Sequence, residues 1–274
     1  MTALDVLADW PVPTVAAAVV GPAGVLDSHG DTRRRFALAS VTKPLVARAA
    51  QVAVEEGAVD LDTAAGPPGS TVRHLLAHTA GYEMTSGKVL AEPGTRRIYS
   101  NHGFAVLAEV LQRESTIAFD DYLAGSVLEP LGMADTVLDG GAPAAGYGAT
   151  STVDDLVAFA GDLLAPTTVS RQMHDEATSV QFPGLDGVLP GFGVQRPNDW
   201  GVGFEIRDGK SPHWTGASNS ARTYGHFGQS GTFLWVDPDA DLALIVLTDR
   251  KFGEWAHSVM PALSDEVLRE FRAD

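Results

Sequence analysis

Ser40-Val41-Thr42-Lys43 sets a hydroxyl and an amine three residues apart, the only Ser-x-x-Lys in the chain. Residues three apart share one face of a helix, so the Lys43 amine can reach the Ser40 oxygen. Ahead of Ser40 lies the extended run Phe36–Ala39, and after it a helical pattern begins. Backbone N–H groups at a helix start lack partners and favour negative charge, which suits an alkoxide forming there. On its own the pattern is weak, because a capping serine followed by a surface lysine spells the same four residues. Tyr99-Ser100-Asn101 adds a phenol and an amide. A serine hydroxyl is a poor nucleophile until a neighbour takes its proton. A phenol with pKa near ~10 serves as that neighbour only if its environment shifts it. Asn101 offers a donor and an acceptor to a substrate carbonyl or to Lys43, or caps the helix that follows.

Gly225-His226-Phe227-Gly228-Gln229-Ser230-Gly231 is the third group. Glycines leading into a strand let another backbone or a ligand come close. A backbone N–H there could complete an oxyanion hole with that of Ser40. His226 could donate to the site or carry charge near pH ~6.5. Read alone, this stretch is a glycine-rich loop before a hairpin strand.

These groups need a scaffold to bring them together. Val15–Val20 and Gly24–Ser28, separated by Gly21-Pro22, read as a β-hairpin. Apolar spacing predicts helices over Val41–Glu56, Val72–His78, Asn101–Arg113, Phe119–Leu128 and Thr152–Leu164. Leu163–Gly203 lacks periodicity and reads as long loops with one short helix. Strands are expected at Gly201–Ile206, Gly231–Val236 and Leu242–Thr248, then a helix over Glu254–Arg272. Strands at both ends and helices between predict an α+β fold, an antiparallel sheet flanked by helices with an inserted mainly helical subdomain. The expected organisation is a single domain over 1–274, with an α/β part at 1–60 and 200–274 and a mainly helical part at 61–199.

Beyond these groups, several segments resemble the β-lactamase-related serine hydrolases: class C β-lactamases, D-alanyl-D-alanine carboxypeptidases and the esterases and D-aminopeptidases of the same fold. His74–Gly81 is similar to that family's Leu-Leu-x-His-Thr-Ser-Gly segment, and Pro93–Asn101 to its Pro-Gly-x-x-x-x-Tyr-Ser-Asn. Pro130–Met133, Ser151–Leu156 and Gly231–Pro238 resemble three further segments in the expected order. Ser-x-x-Lys is an acylating motif of penicillin-recognising enzymes. The resemblance implies a β-lactamase/transpeptidase-like fold and an acyl-enzyme on Ser40. It also implies that Lys43 and Tyr99 share the proton transfers, and that the N–H groups of Ser40 and Gln229, beside Gly228, hold the oxyanion. Where β-lactamases carry Lys-Thr-Gly or Lys-Ser-Gly, this chain has His226-Phe227-Gly228. The resemblance therefore favours an esterase or D-peptidase-like activity. A β-lactamase, or a penicillin-recognising sensor without turnover, is the alternative. Phe227 could close part of the pocket, and Arg222 could replace the missing cation for an acidic substrate end, although it reads better as a surface arginine.

Composition narrows the rest. A formal charge of −16 repels phosphate backbones and anionic lipid, so neither nucleic acid nor a membrane is expected as partner. Without cysteine there are no disulfides, thiolate metal sites or thiol nucleophiles. Met1–Pro13 does not resemble a secretory leader, which points to the cytoplasm. A nucleophile elbow, Gly-x-Ser-x-Gly, is missing. His74 and His78 have zinc-ligand spacing, but Leu75 stands where a zincin has glutamate. No metal or cofactor is expected, only a small ester, amide or peptide substrate; the walls of its pocket are expected from Tyr82–Lys88 and Leu163–Gly203. Oligomeric state leaves no trace in the sequence.

Overall fold

A computed structural model describes residues 2–272 of the chain. A short 3-10 helix, Ala3–Asp9, precedes the hairpin of β1 (Val15–Gly21) and β2 (Gly24–His29). Then β3 (Phe36–Ala37) and one 3-10 turn, Ala39–Val41, lead into α1 (Thr42–Glu55). Helices α2 (Val72–Leu76), α3 (Asn101–Ser115) and α4 (Phe119–Leu123) follow, the last continuing as a π-helical turn over Ala124–Leu128. Next come β4 (Val137–Leu138), β5 (Ala149–Ser151), α5 (Val153–Leu164) and α6 (Arg171–Ala177). The chain then runs through β6 (Gly187–Leu189), β7 (Gly193–Gln195), β8 (Glu205–Ile206), β9 (Tyr224–Gly228), β10 (Thr232–Asp237) and β11 (Leu242–Thr248) to α7 (Glu254–Phe271).

Six strands form one antiparallel sheet in the order β2-β1-β11-β10-β9-β8. Both of its faces are buried, and the two-residue strand period sorts side chains between two cores. Ala16, Ala18, Leu234, Val236, Ile245 and Leu247 face the helices of the middle of the chain. Ala17, Val19, Phe233, Trp235, Leu244 and Val246 face α7 and the N-terminal 3-10 helix. The expected α+β architecture, a helix-flanked antiparallel sheet with helices inserted between its strands, is what the chain adopts.

Three local expectations need correction. Gly225–Gly228, read as a glycine-rich loop, lies within strand β9, because β8 and β10 supply backbone partners on both sides. Tertiary pairing overrides the poor strand propensity of glycine. Conversely, Gly201–Gly203 bends away, and only Glu205–Ile206 of the expected strand joins the sheet. Leu163–Gly203 contains α6 and also the hairpin β6–β7. The Arg33–Arg35 triplet is exposed, with Arg34 and Arg35 paired to Asp249 and Asp135 at 3.0 and 2.9 Å.

Two buried arginines join the middle of the chain to α1 and to the segment before α3. Arg48 on α1 and Asp162 on α5 form an ion pair at 3.1 Å, both side chains fully buried. Burial opposes the charge of Asp162, but Arg48 and the amides of Thr167 and Thr168 outweigh it and hold the carboxyl below its usual range. Arg97 donates to the carbonyls of Ala77 (2.5 Å), Gln181 (2.8 Å) and Asn198 (2.9 Å), which clamps the segment before Tyr99 against residues 181–198. Asp162→Ala would strand the Arg48 charge in the core. It is expected to cost about 3–5 kcal/mol, read as a lowered midpoint in urea unfolding.

Candidate active site

Ser40 sits in the 3-10 turn ahead of α1, rather than in the first turn of the α-helix itself. Ala39 takes a left-handed backbone, φ 47°, to make the bend that presents Ser40. For a residue with a Cβ that conformation costs roughly 1–2 kcal/mol, so the surroundings must enforce it. They do so through β9 and β10. Thr232 Oγ1 donates to Leu38 O at 2.8 Å, and a Cβ on Gly228 would lie 2.4 Å from the same carbonyl. Only glycine lets the end of β9 come this close to the Leu38–Ser40 backbone. The Gln229 N–H, just past that end, makes no hydrogen bond to a described residue. It stands beside the nucleophile's own turn.

Lys43 lies one residue into α1 and is fully buried. Its Nζ contacts Asn101 Oδ1 at 2.6 Å, Gly146 O at 2.7 Å and Ser40 Oγ at 3.4 Å. Among the described residues no carboxylate pairs with it, and burial alone pushes its amine well below the usual lysine range. Asn101 Oδ1 and Gly146 O can only accept, so Lys43 donates to both, and its third contact is the Ser40 hydroxyl oxygen. Asn101 is the first residue of α3 rather than its cap. Ser100 is the cap, accepting from the Gly103 N–H at 3.0 Å, which frees the Asn101 amide for Lys43.

Tyr99 OH donates to Ser40 Oγ at 2.7 Å and stands 3.4 Å from His226 Nε2. Burial pushes this phenol up, and the Ser40 hydrogen bond offsets only part of that, so the proton stays on. His226 Nδ1 donates to Phe227 O at 2.6 Å, which leaves Nε2 without a proton, facing a phenol oxygen whose own proton goes to Ser40. Burial, then the neighbouring Lys43, lowers the His226 imidazole to about 3. It is neutral at physiological pH, and the charged role considered for it from sequence is closed. The Tyr99 ring is fixed by packing: His78 lies against it at 4.6 Å and Trp200 at 5.9 Å. His78 also accepts the Ser100 N–H at 3.1 Å on Nδ1. His74 instead meets Thr71 Oγ1 at 2.9 Å and the Phe182 ring at 4.5 Å. The two histidines thus serve separate partners, and among the described residues no cluster of three His, Asp or Glu could hold a metal.

Ser40, Tyr99, Asn101, His226 and Gln229 line one cavity of about 210 Å³. Phe227 alternates to the opposite face of β9 from His226 and packs with Trp214, Phe192 and Phe252 at 5.7, 5.6 and 5.0 Å, so only its edge reaches the cavity. Arg222 is exposed and paired with Asp239 at 2.7 Å, outside this lining. No lysine or arginine is among the lining residues, but a carboxylate is: Glu205. It is buried against Lys210, His213 (2.9 Å) and Trp214 Nε1 (2.9 Å). Burial opposes its charge, yet His213 and Lys210 hold the carboxyl down at about 2. The walls do come from the two expected regions, through Met84 and through Leu189, Pro190 and Trp200. Glu205, Gly146, Met84 and Trp200 escaped the sequence reading. Only Glu205, a charged residue inside an otherwise apolar strand pattern, left a local signal.

The β-lactamase family model matches residues 7–269. A crystal structure of a β-lactamase from Mycobacterium bovis superposes with a TM-score of 0.99 at 73% identity, covering 99% of this chain and 100% of that one. A hydrolase with promiscuous acyltransferase activity, EstCE1, superposes at 0.78 with 17% identity over 97% of this chain and 96% of its own. An octameric penicillin-binding protein homologue from Pyrococcus abyssi superposes at 0.72 with 20% identity, over 98% of this chain and 77% of its own. At those identities the last two show likeness of fold alone. A Salmonella heidelberg protein with the provisional name of D-alanyl-D-alanine carboxypeptidase is 25% identical over 202 residues, 58% of this chain. The chain spans about half the length of the curated relatives it matches, 46% in this case. No described helix is long and apolar enough to cross a membrane. With the family model matched over residues 7–269, the chain belongs to the β-lactamase family.

Proposed function

We propose that the protein cleaves ester or amide bonds through an acyl-enzyme on Ser40, with Lys43 as the base and Tyr99 as the proton donor. The observation that carries this reading is the convergence on Ser40 Oγ of a buried amine with no carboxylate partner among the described residues, at 3.4 Å, and of a phenol, at 2.7 Å. In the first step the Ser40 oxygen bonds to the carbonyl carbon while its proton passes to the Lys43 amine. The carbonyl oxygen becomes an oxyanion between the N–H groups of Ser40 and Gln229. As the tetrahedral centre collapses, the leaving oxygen or nitrogen takes the Tyr99 proton, and the Lys43 ammonium returns one to the phenolate. Water then repeats the cycle on the acyl-enzyme, again losing its proton to the Lys43–Tyr99 pair. Asn101 keeps Lys43 in place and turns its own NH₂ toward the cavity for the acyl carbonyl.

The charge inventory supports an uncharged acyl group over a penicillin. A β-lactam brings a carboxylate, and the cavity meets it with neutral His226, the apolar edge of Phe227 and anionic Glu205. Like charges close together in a water-poor cavity are unfavourable. β-Lactam turnover is accordingly expected to be slow relative to ester turnover.

Ser40→Ala is expected to lower p-nitrophenyl butyrate hydrolysis by at least about 10⁴-fold and to remove labelling by a fluorophosphonate, read by mass spectrometry. Turnover that survives the substitution would overturn the assignment. A stable penicillin adduct on Ser40 without ester turnover would favour the sensor.

The pH profile separates the two candidate bases. The Lys43 pKa is depressed, so its active form dominates above that lowered value and is lost as pH falls through it. The phenol of Tyr99 is raised, so phenolate is scarce until strongly alkaline pH. kcat/KM should therefore rise on an acid limb and level off below the usual lysine range. A rate still climbing tenfold per pH unit near pH 10 would assign the base to Tyr99 instead.

Gly228→Ala forces a Cβ against the Leu38 carbonyl and displaces the end of β9 from Ser40. The expected result is a fall in kcat of about 10²–10³-fold, the usual effect of losing one oxyanion donor, with circular dichroism unchanged.

A further inference from the structure

Next to the nucleophile's cavity lies a second, larger one of about 650 Å³, well within the range of small-molecule sites. The two share Met84, Tyr99 and Pro190, so they lie side by side. Its walls are the loop around Met84–Leu90 on one side and the β6–β7 hairpin on the other, with Thr95–Tyr99 also lining it. Val188 and Val194 are directly paired across that hairpin, and at 55% and 58% they are among the most exposed large apolar side chains of the molecule. Leu90 and Met84, in the same lining, are 47% and 43% exposed. Four large apolar side chains left open to water around one groove mark a binding surface.

The charges of the groove are largely spoken for. Arg97 is turned into the protein against carbonyls, and Arg196 pairs with Asp186 at 3.3 Å, leaving Arg96 as the other charged member of the lining. We propose that this groove binds an extended, uncharged aliphatic chain of the substrate, running from the scissile bond past Tyr99 and along Met84, Leu90, Val188 and Val194. The substrate class is then a lipophilic ester or amide, in place of a short polar one. This rests on the hydrolase reading above and adds the substrate class to it.

Two ester series test it: p-nitrophenyl esters from acetate to dodecanoate, and acetates of alcohols of the same lengths. Burying a methylene is expected to raise kcat/KM on the order of two- to fourfold in one series until the groove is full. Val188→Asp, at an exposed position that folding tolerates, should flatten that rise. A flat profile in both series with the wild-type protein, while acetate is cleaved, overturns the groove and leaves the hydrolase reading intact. If Ser40 takes no fluorophosphonate and no ester is cleaved, the hydrolase reading fails by itself. The groove is then judged by calorimetric binding of 1-decanol, with ethanol as control, to Ser40→Ala. Binding of the decanol that Val188→Asp weakens supports the groove, and no preference over ethanol overturns it.

Discussion

A lysine amine sealed from water with no carboxylate beside it is the constraint around which the rest of the site is built. Lys43 cannot afford a charge there, and burial depresses its affinity for a proton. The neutral amine must still place its N–H bonds, and it does so on the Asn101 side chain and the Gly146 carbonyl, 58 and 103 residues along the chain. Those two contacts join α1 to the start of α3 and to the turn before β5. The same arrangement holds the amine 3.4 Å from the Ser40 hydroxyl. In the proposed mechanism, the contacts that fix Lys43 in the fold are also the ones that place it beside the serine.

The same economy holds on the opposite side of Ser40. Tyr99 keeps its proton because it is buried, and it is positioned by rings and backbone rather than by charge: His78, Trp200 and the clamp of Arg97 behind it. His226 is neutral for the same reason. A site made of a neutral amine, a phenol and a neutral imidazole carries almost no formal charge of its own. The nearest fixed charge is Glu205, and it belongs to a buried cluster with Lys210 and His213. In the proposed mechanism such a site would stabilise charge developing in the transition state through backbone N–H groups, donors that need no reorganisation. It has little to offer a substrate that arrives already anionic.

How far the sequence disclosed this depended on the range of the interactions. Ser40 and Lys43 are three residues apart, and helical spacing alone predicts their meeting. The hairpin β1–β2, α1, α3 and α5 announce themselves through apolar periodicity, with ends displaced by only a few residues. Tyr99 and Asn101 gained meaning only from their resemblance to an ordered family pattern. Gly146 was invisible, because a backbone carbonyl has no residue type to read. Strand β9 was misjudged because the glycines at 225, 228 and 231 argue against a strand until both neighbours are known. The exposed valines of β6–β7 looked like ordinary loop residues in a stretch without periodicity. In each case the deciding contact lies far away in sequence, and no local signal encodes it.

The most direct test is to titrate Lys43 itself in the folded protein, by NMR of lysine labelled with ¹³C at the ε carbon, assigning its signal with Lys43→Arg. Lys43 is predicted to be neutral at pH 8, and to titrate below the other lysines. A Lys43 signal that moves with theirs near pH ~10 would mean that the amine is an ammonium at working pH, and that the serine is activated in some other way.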